Sequence, residues 1–180
     1  PGESLSDYAT RLLDQIDTTS TPLILVGLSF GGIIAQEIAK RIAVDKIILI
    51  SSAKSYRAYN WKLLLVKRLH LHRLASAKFL KWSSRFLGDY FFSTTTKEES
   101  RLLHQIINDS DDTFLIWAID QIMRWEQTST VANVAHIHGA IDKLFDADKT
   151  TDATILEHAG HFLLVSRSQE TSKFILSHIT

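Results

Sequence analysis

The sequence predicts an α/β protein, a mainly parallel sheet connected by helices, with a long helical segment inserted part-way along the chain. Three observations predict it. Runs apolar at consecutive positions, Leu23–Val26 and Ile47–Ile50, alternate with stretches of helical period, and strands apolar on both alternating sets suit a parallel sheet covered on both faces. A tight glycine-rich turn joins the first run to a helical pattern. Residues 54 to 128 then hold several helical patterns and no convincing strand.

Taken in order, residues 4–16 read as a helix, because Leu5, Tyr8, Leu12 and Ile16 share one face and Ser4 with Asp7 forms a capping pair. Thr18 to Pro22 end it. Leu23–Val26 is the first strand, stopping at Gly27, and from Gly31 the period turns helical with Ile34, Ile38 and Ile42 on one face. Ile47–Ile50 follows through a short connection, so strand, helix and strand form a right-handed parallel crossover. Val131 to His138 and Ala153 to Leu156 are two further strands, and Ser168 to Ile179 is a closing helix. These boundaries divide the chain into a core, 1–53 with 129–180, and a helical cap, 54–128.

The 180 residues are 45% hydrophobic and 22% charged, with 20 basic against 20 acidic side chains, an ordinary globular composition. Disorder and collagen are excluded. The charge balance makes no case for nucleic acid, no apolar run is long enough for a membrane helix, and the N-terminus lacks secretory-signal features, so a cytoplasmic location is expected. With no cysteine, a covalent nucleophile must be a serine or threonine. No metal site and no cofactor are expected.

The cap divides by charge. Nine Lys/Arg and no Asp or Glu lie between Lys54 and Arg85, whereas eight acids lie between Asp89 and Glu126. Solvated helix faces with complementary charges account for this. A membrane-surface or acidic-ligand role for the basic half, with Leu63 to Val66, Phe79 and Trp82 as its apolar side, is the competing reading.

Gly27-Leu28-Ser29-Phe30-Gly31-Gly32 matches G-x-S-x-G between a strand and a helix. This turn projects a serine at a helix N-terminus, where free N–H groups favour a developing oxyanion, and side chains at either flanking glycine would collide with backbone. A serine hydroxyl needs a base, and the base needs an orienting acid. Of the eight histidines, His161 in Ala159-Gly160-His161-Phe162 lies between the last strand and the closing helix, with His158 as its rival. His70, His72, His104 and His178 read as surface residues; His136 and His138 alternate on one strand, where structural roles are expected and lining of the site by one of them is the alternative. Asp142, just beyond that strand, is the acid, ahead of Asp146 and Asp148.

The order Ser29, Asp142, His161 and the motifs G-L-S-F-G-G, H-G-A-I-D and A-G-H-F resemble the α/β-hydrolase fold, especially its small esterase-like members with a helical cap. The resemblance implies Ser29 as nucleophile, His161 as base and then acid, Asp142 as orienter, and the Phe30 backbone N–H as an oxyanion donor. Leu28, Phe162 and Trp117 are the expected substrate-pocket residues. The implied activity is hydrolysis of a small ester or thioester through an acyl-serine. Carbon–carbon bond hydrolysis or perhydrolysis by the same triad, and ligand binding without catalysis, are the alternatives. The four strands correspond to the last four of that family's sheet, and the lone methionine is Met123. The expectation is therefore a C-terminal portion of a longer hydrolase, with its first strand at a sheet edge. Oligomeric state is not legible.

Overall fold

The computed structural model describes residues 2–19, 21–128, 133–150 and 152–179. Its centre is a four-stranded parallel sheet of β1 (Ile24–Leu28), β2 (Lys46–Ile50), β3 (Val134–Gly139) and β4 (Thr154–Leu156), in spatial order β1-β2-β3-β4. Helix α1 (Leu5–Leu12) opens the chain through a capping box in which the Ser4 hydroxyl accepts from the Asp7 N–H. A 3₁₀ turn, Leu13–Gln15, follows it, so the expected single helix is an α-helix with a tightened end.

Helix α2 (Phe30–Ala39) joins β1 to β2. It starts one residue earlier than the glycine pattern indicates and ends before Ile42. Ile47, Ile48, Leu49 and Ile50 are all at most 1% exposed, which matches a strand covered on both faces. The expectation of the same burial for the first strand does not hold. Val26 and Leu28 are 50% and 39% exposed, because β1 runs on to Leu28 and is an edge strand among the described residues.

Between β2 and β3 lie α3 (Trp61–Arg68), α4 (Ala77–Phe91), α5 (Lys97–Asp109) and α6 (Asp112–Arg124). Each starts at a side-chain cap, provided by Asn60, Ser76, Thr96 and Asp111, because these side chains satisfy N–H groups that have no partner inside the helix. Val131 and Ala132, the expected start of the third strand, lie outside the described residues; β3 itself extends one residue past His138. The short α7 (Leu163–Ser166) leads into α8 (Ser168–Ile179), whose Phe174 and Ile175 pack against the cluster of Ile48, Ile50, Ile137 and Leu163. Among the described residues, no helix is long and apolar enough to cross a membrane.

Candidate active site

The turn from β1 into α2 places Ser29 at φ 50° and ψ −120°, a conformation rare for a residue with a Cβ and costing on the order of 1–3 kcal/mol. Its surroundings hold it there. The Ser29 N–H donates to the Ile50 carbonyl at 2.9 Å, and the Ser52 hydroxyl donates to the Ser29 carbonyl at 2.7 Å. A Cβ on Gly27 would lie 2.5 Å from backbone atoms of Gly31 and Gly32, so the first flanking glycine is required. The second is not. A Cβ on Gly31 would meet nothing within 4 Å, whereas one on Gly32 would sit 2.3 Å from the Ser52 hydroxyl. The steric demand falls one residue later than the motif suggests, because α2 packs on Ser52 through Gly32.

His161 bridges two partners. Its Nε2 lies 2.8 Å from Ser29 Oγ and its Nδ1 2.7 Å from Asp142 Oδ2, while its ring is nearly buried, in edge contact with Phe92. Asp142 follows β3 directly, and its Oδ1 accepts from the N–H groups of Leu144 and Phe145 at 2.8 and 3.3 Å. Burial pushes this carboxyl upward, but the charge and hydrogen bond of His161, with help from His138 and the Leu144 N–H, hold it below the ordinary carboxylate range. Asp146 pairs instead with Lys149 and accepts from the Asn60 amide. His158 is exposed, at φ 57°.

Three further features support this arrangement. His138 is fully buried, and its Nε2 lies 3.1 Å from the Phe145 carbonyl and 3.4 Å from Asp142 Oδ2, so a second imidazole borders the carboxylate. Its i−4 spacing from Asp142 is visible in the sequence, but the facing of the two side chains depends on how the loop folds back. The end of α4 also ties down both loops: the His161 N–H donates to the Phe92 carbonyl at 3.2 Å and the Lys143 N–H to the Ser93 hydroxyl at 3.1 Å. Finally, Gly160 permits a close approach to the end of α4. A Cβ there would lie 1.9 Å from the Ser93 carbonyl oxygen, and one on Gly139 would lie 2.3 Å from that of Gly160.

An apolar cavity of about 440 Å³ opens at Ser29. Phe30 from α2, Leu63 and Val66 from α3, Leu87 from α4 and Ile119 from α6 are among the side chains enclosing it, and none of its lining residues is charged. Phe30 is the first residue of α2, so its N–H has no acceptor within the helix. The three expected pocket residues lie elsewhere. Leu28 is exposed on the edge strand. Phe162 packs behind His161 against Phe92, with centroids 5.9 Å apart. Trp117 turns toward the N-terminal segment, donating its Nε1–H to the Glu3 carbonyl at 2.7 Å, with its ring tilted against Tyr8 of α1. Trp125 is likewise occupied, donating to Glu37 at 3.0 Å. His72, expected on the surface, has a ring only 4% exposed beside Asp120, because α6 covers it.

Comparison with known proteins places this chain in a family. The alpha/beta hydrolase family model matches residues 1–174. No curated protein matches the chain significantly. Among solved structures, an esterase from Exiguobacterium antarcticum superposes with a TM-score of 0.72 at 15% identity, covering 99% of this chain and 75% of that one. A hydrolase from Pseudomonas aeruginosa gives 0.70 at 16% identity, covering 99% and 73%. A meta-cleavage product hydrolase from Pseudomonas fluorescens gives 0.66 at 17%, covering 99% and 72%. At such identities these likenesses speak to the fold alone, and the family match over nearly the whole chain agrees with them. The chain belongs to the alpha/beta hydrolase family.

Proposed function

We propose that this chain is a serine hydrolase that cleaves the ester or thioester of an apolar acyl group through an acyl-Ser29 intermediate. The observation that carries the reading is the His161 ring spanning Ser29 Oγ and Asp142 Oδ2, at 2.8 and 2.7 Å, beside the mouth of the apolar cavity. In this reading, residues 54–128 form a cap over a core made of 1–53 and 129–180.

The Ser29 hydroxyl donates to His161 Nε2, and the His161 Nδ1–H donates to Asp142. As Oγ attacks the substrate carbonyl, its proton passes to Nε2, and the carboxylate stabilises the imidazolium that forms. The Phe30 N–H, at the positive end of α2, faces the developing oxyanion; one such donor is worth about 3 kcal/mol in the transition state. Collapse of the tetrahedral intermediate breaks the bond to the leaving group, which takes the proton from Nε2. Water then enters, gives a proton to His161, attacks the acyl carbon and frees the acid, and Ser29 recovers its proton.

The uncharged lining favours an apolar acyl group over one carrying a carboxylate, since no lining side chain can pair with an anion. The test is labelling with a fluorophosphonate together with turnover of p-nitrophenyl esters. Labelling at Ser29, lost in Ser29→Ala, is the expected result, with ester turnover falling at least about 10³-fold. A diketone hydrolysed faster than any ester moves the reaction to carbon–carbon cleavage. A folded chain that neither labels nor turns over esters refutes the reading.

A further inference from the structure

We propose that the outer face of α4, with the segment leading into it, is a docking surface for an anionic lipid bilayer. Phe79, Trp82 and Phe86 stand at i, i+3 and i+7 on this helix, which aligns them in one stripe. Their rings follow one another with centroids 6.0 and 5.5 Å apart. All three face solvent, at 54, 58 and 70% exposure, and Leu74 just before the helix is 85% exposed. Single exposed apolar residues are ordinary, but a row of three touching aromatic rings marks a surface that something covers.

The charge around the stripe says what covers it. Lys78 and Arg85, seven residues apart on α4, flank the rings, and Arg68 and Arg73 come shortly before. All four are exposed and form no ion pair among the described residues. No acidic residue lies between Lys54 and Arg85, whereas eight lie between Asp89 and Glu126. Lys67 and Lys81 pair with Glu126 and Asp112 of the acidic segment, which leaves Arg68, Arg73, Lys78 and Arg85 as a local excess of positive charge beside the exposed rings. That combination suits the interface of an anionic bilayer: rings settle at the headgroup–acyl boundary, and the long basic side chains reach the phosphates beside them. A second copy of the same face would set cation against cation. An acidic protein partner would answer the charge but would also need a groove matched to three rings and a leucine.

Docking in this way has a consequence for the cavity. Leu87, next to Phe86, is half exposed and also lines the cavity, together with Leu80, Ser83 and Ser84 of the same helix. The bilayer would thus lie against a wall of the site, and this link to an apolar acyl substrate rests on the hydrolase reading above.

The test is co-sedimentation of the full chain with phosphatidylcholine vesicles, with and without about 30% phosphatidylglycerol. Partitioning onto the anionic vesicles is expected to exceed that onto neutral ones at least about tenfold, and to fall about tenfold when salt rises from about 0.1 to 0.5 M. The triple variant Phe79→Ser, Trp82→Ser, Phe86→Ser should lose about tenfold in partitioning, with p-nitrophenyl ester turnover in solution unchanged. Arg73→Glu, Lys78→Glu, Arg85→Glu should abolish the preference for anionic vesicles, and carries the test if the aromatic variant does not fold. Equal partitioning of wild type and both variants overturns the proposal, as does absence of vesicle binding. So does a concentration-dependent dimer that the aromatic variant abolishes, which would assign the face to a second copy. Ester turnover is read without vesicles, so failure of the docking surface and failure of the hydrolase reading are separate results.

Discussion

Strand β2 and helix α4 are both rich in large apolar side chains, yet they use them in opposite ways. In β2, Ile47 to Ile50 are buried on both faces of the sheet, so every apolar side chain is accounted for by packing. In α4 the inner face lines a cavity with Leu80, Leu87 and Phe91, while the outer face presents Phe79, Trp82 and Phe86 to solvent. The sheet region therefore carries stability and holds Ser29, Asp142 and His161 just beyond its strand ends. The inserted helices enclose most of the apolar cavity that opens at Ser29. Hydrophobicity read as burial is a sound guide in the first region and a poor one in the second.

That contrast can be broken where the backbone is tightest. Gly27→Ala would drive a Cβ to 2.5 Å from backbone of Gly31 and Gly32, and is expected to cost at least about 3 kcal/mol or to prevent folding. Gly31→Ala meets nothing within 4 Å inside a helix, and should leave stability unchanged or raise it by up to about 1 kcal/mol. Urea unfolding of the two variants is the measurement. Equal losses would show that the elbow is not governed by the contact at Gly27.

Acid should also find the sheet before the helices. Burial, followed by the neighbouring His138 and Lys54 charges, pushes His136 down to about 3 from an ordinary 6.5. The folded state thus keeps this imidazole neutral while the unfolded chain takes up a proton. Stability is complete above pH 6.5 and is lost as pH falls from there toward 3, by on the order of 4 kcal/mol. His136→Leu removes that proton uptake, so the acid-unfolding midpoint, followed by circular dichroism, is expected to fall by about half a pH unit or more. An unchanged midpoint would place acid lability outside the sheet.

The smallest expected effect tests the helical side. Ser84→Phe adds a ring at a wall of the cavity and should lower kcat/KM for long-chain p-nitrophenyl esters about tenfold relative to acetate, with stability changed by about 1 kcal/mol or less. A uniform loss across chain lengths would indicate that the acyl group does not enter there.

Sequence reasoning reached Ser29, Asp142 and His161, and these are the side chains found within hydrogen-bond reach of one another. Each sits just beyond a strand end, and strand, turn and helix are written in consecutive residues. The capping pair of Ser4 and Asp7 was legible for the same reason. Leu28, Phe162 and Trp117 were misplaced because nearness to a motif, or an aromatic ring on a helix, says nothing of which way a face turns. That His138 faces Asp142 depends on the path of a loop, which the residue spacing alone does not give.

Local sequence by itself therefore determined the alternation of strand and helix, the glycine turn that exposes a serine, and the order in which Ser29, Asp142 and His161 occur. Those features rest on interactions within a few residues, which periodicity and turn chemistry encode directly. Tertiary structure alone decided that Gly32 rather than Gly31 is sterically bound, and that the end of α4 ties down the loops of Asp142 and His161 through Phe92 and Ser93. It also decided where the cavity lies, because its walls come from α2 through α6 and the loop after β3. An amphipathic pattern reports that a face is apolar; only the packing of distant segments determines whether that face meets the core, a cavity or the solvent.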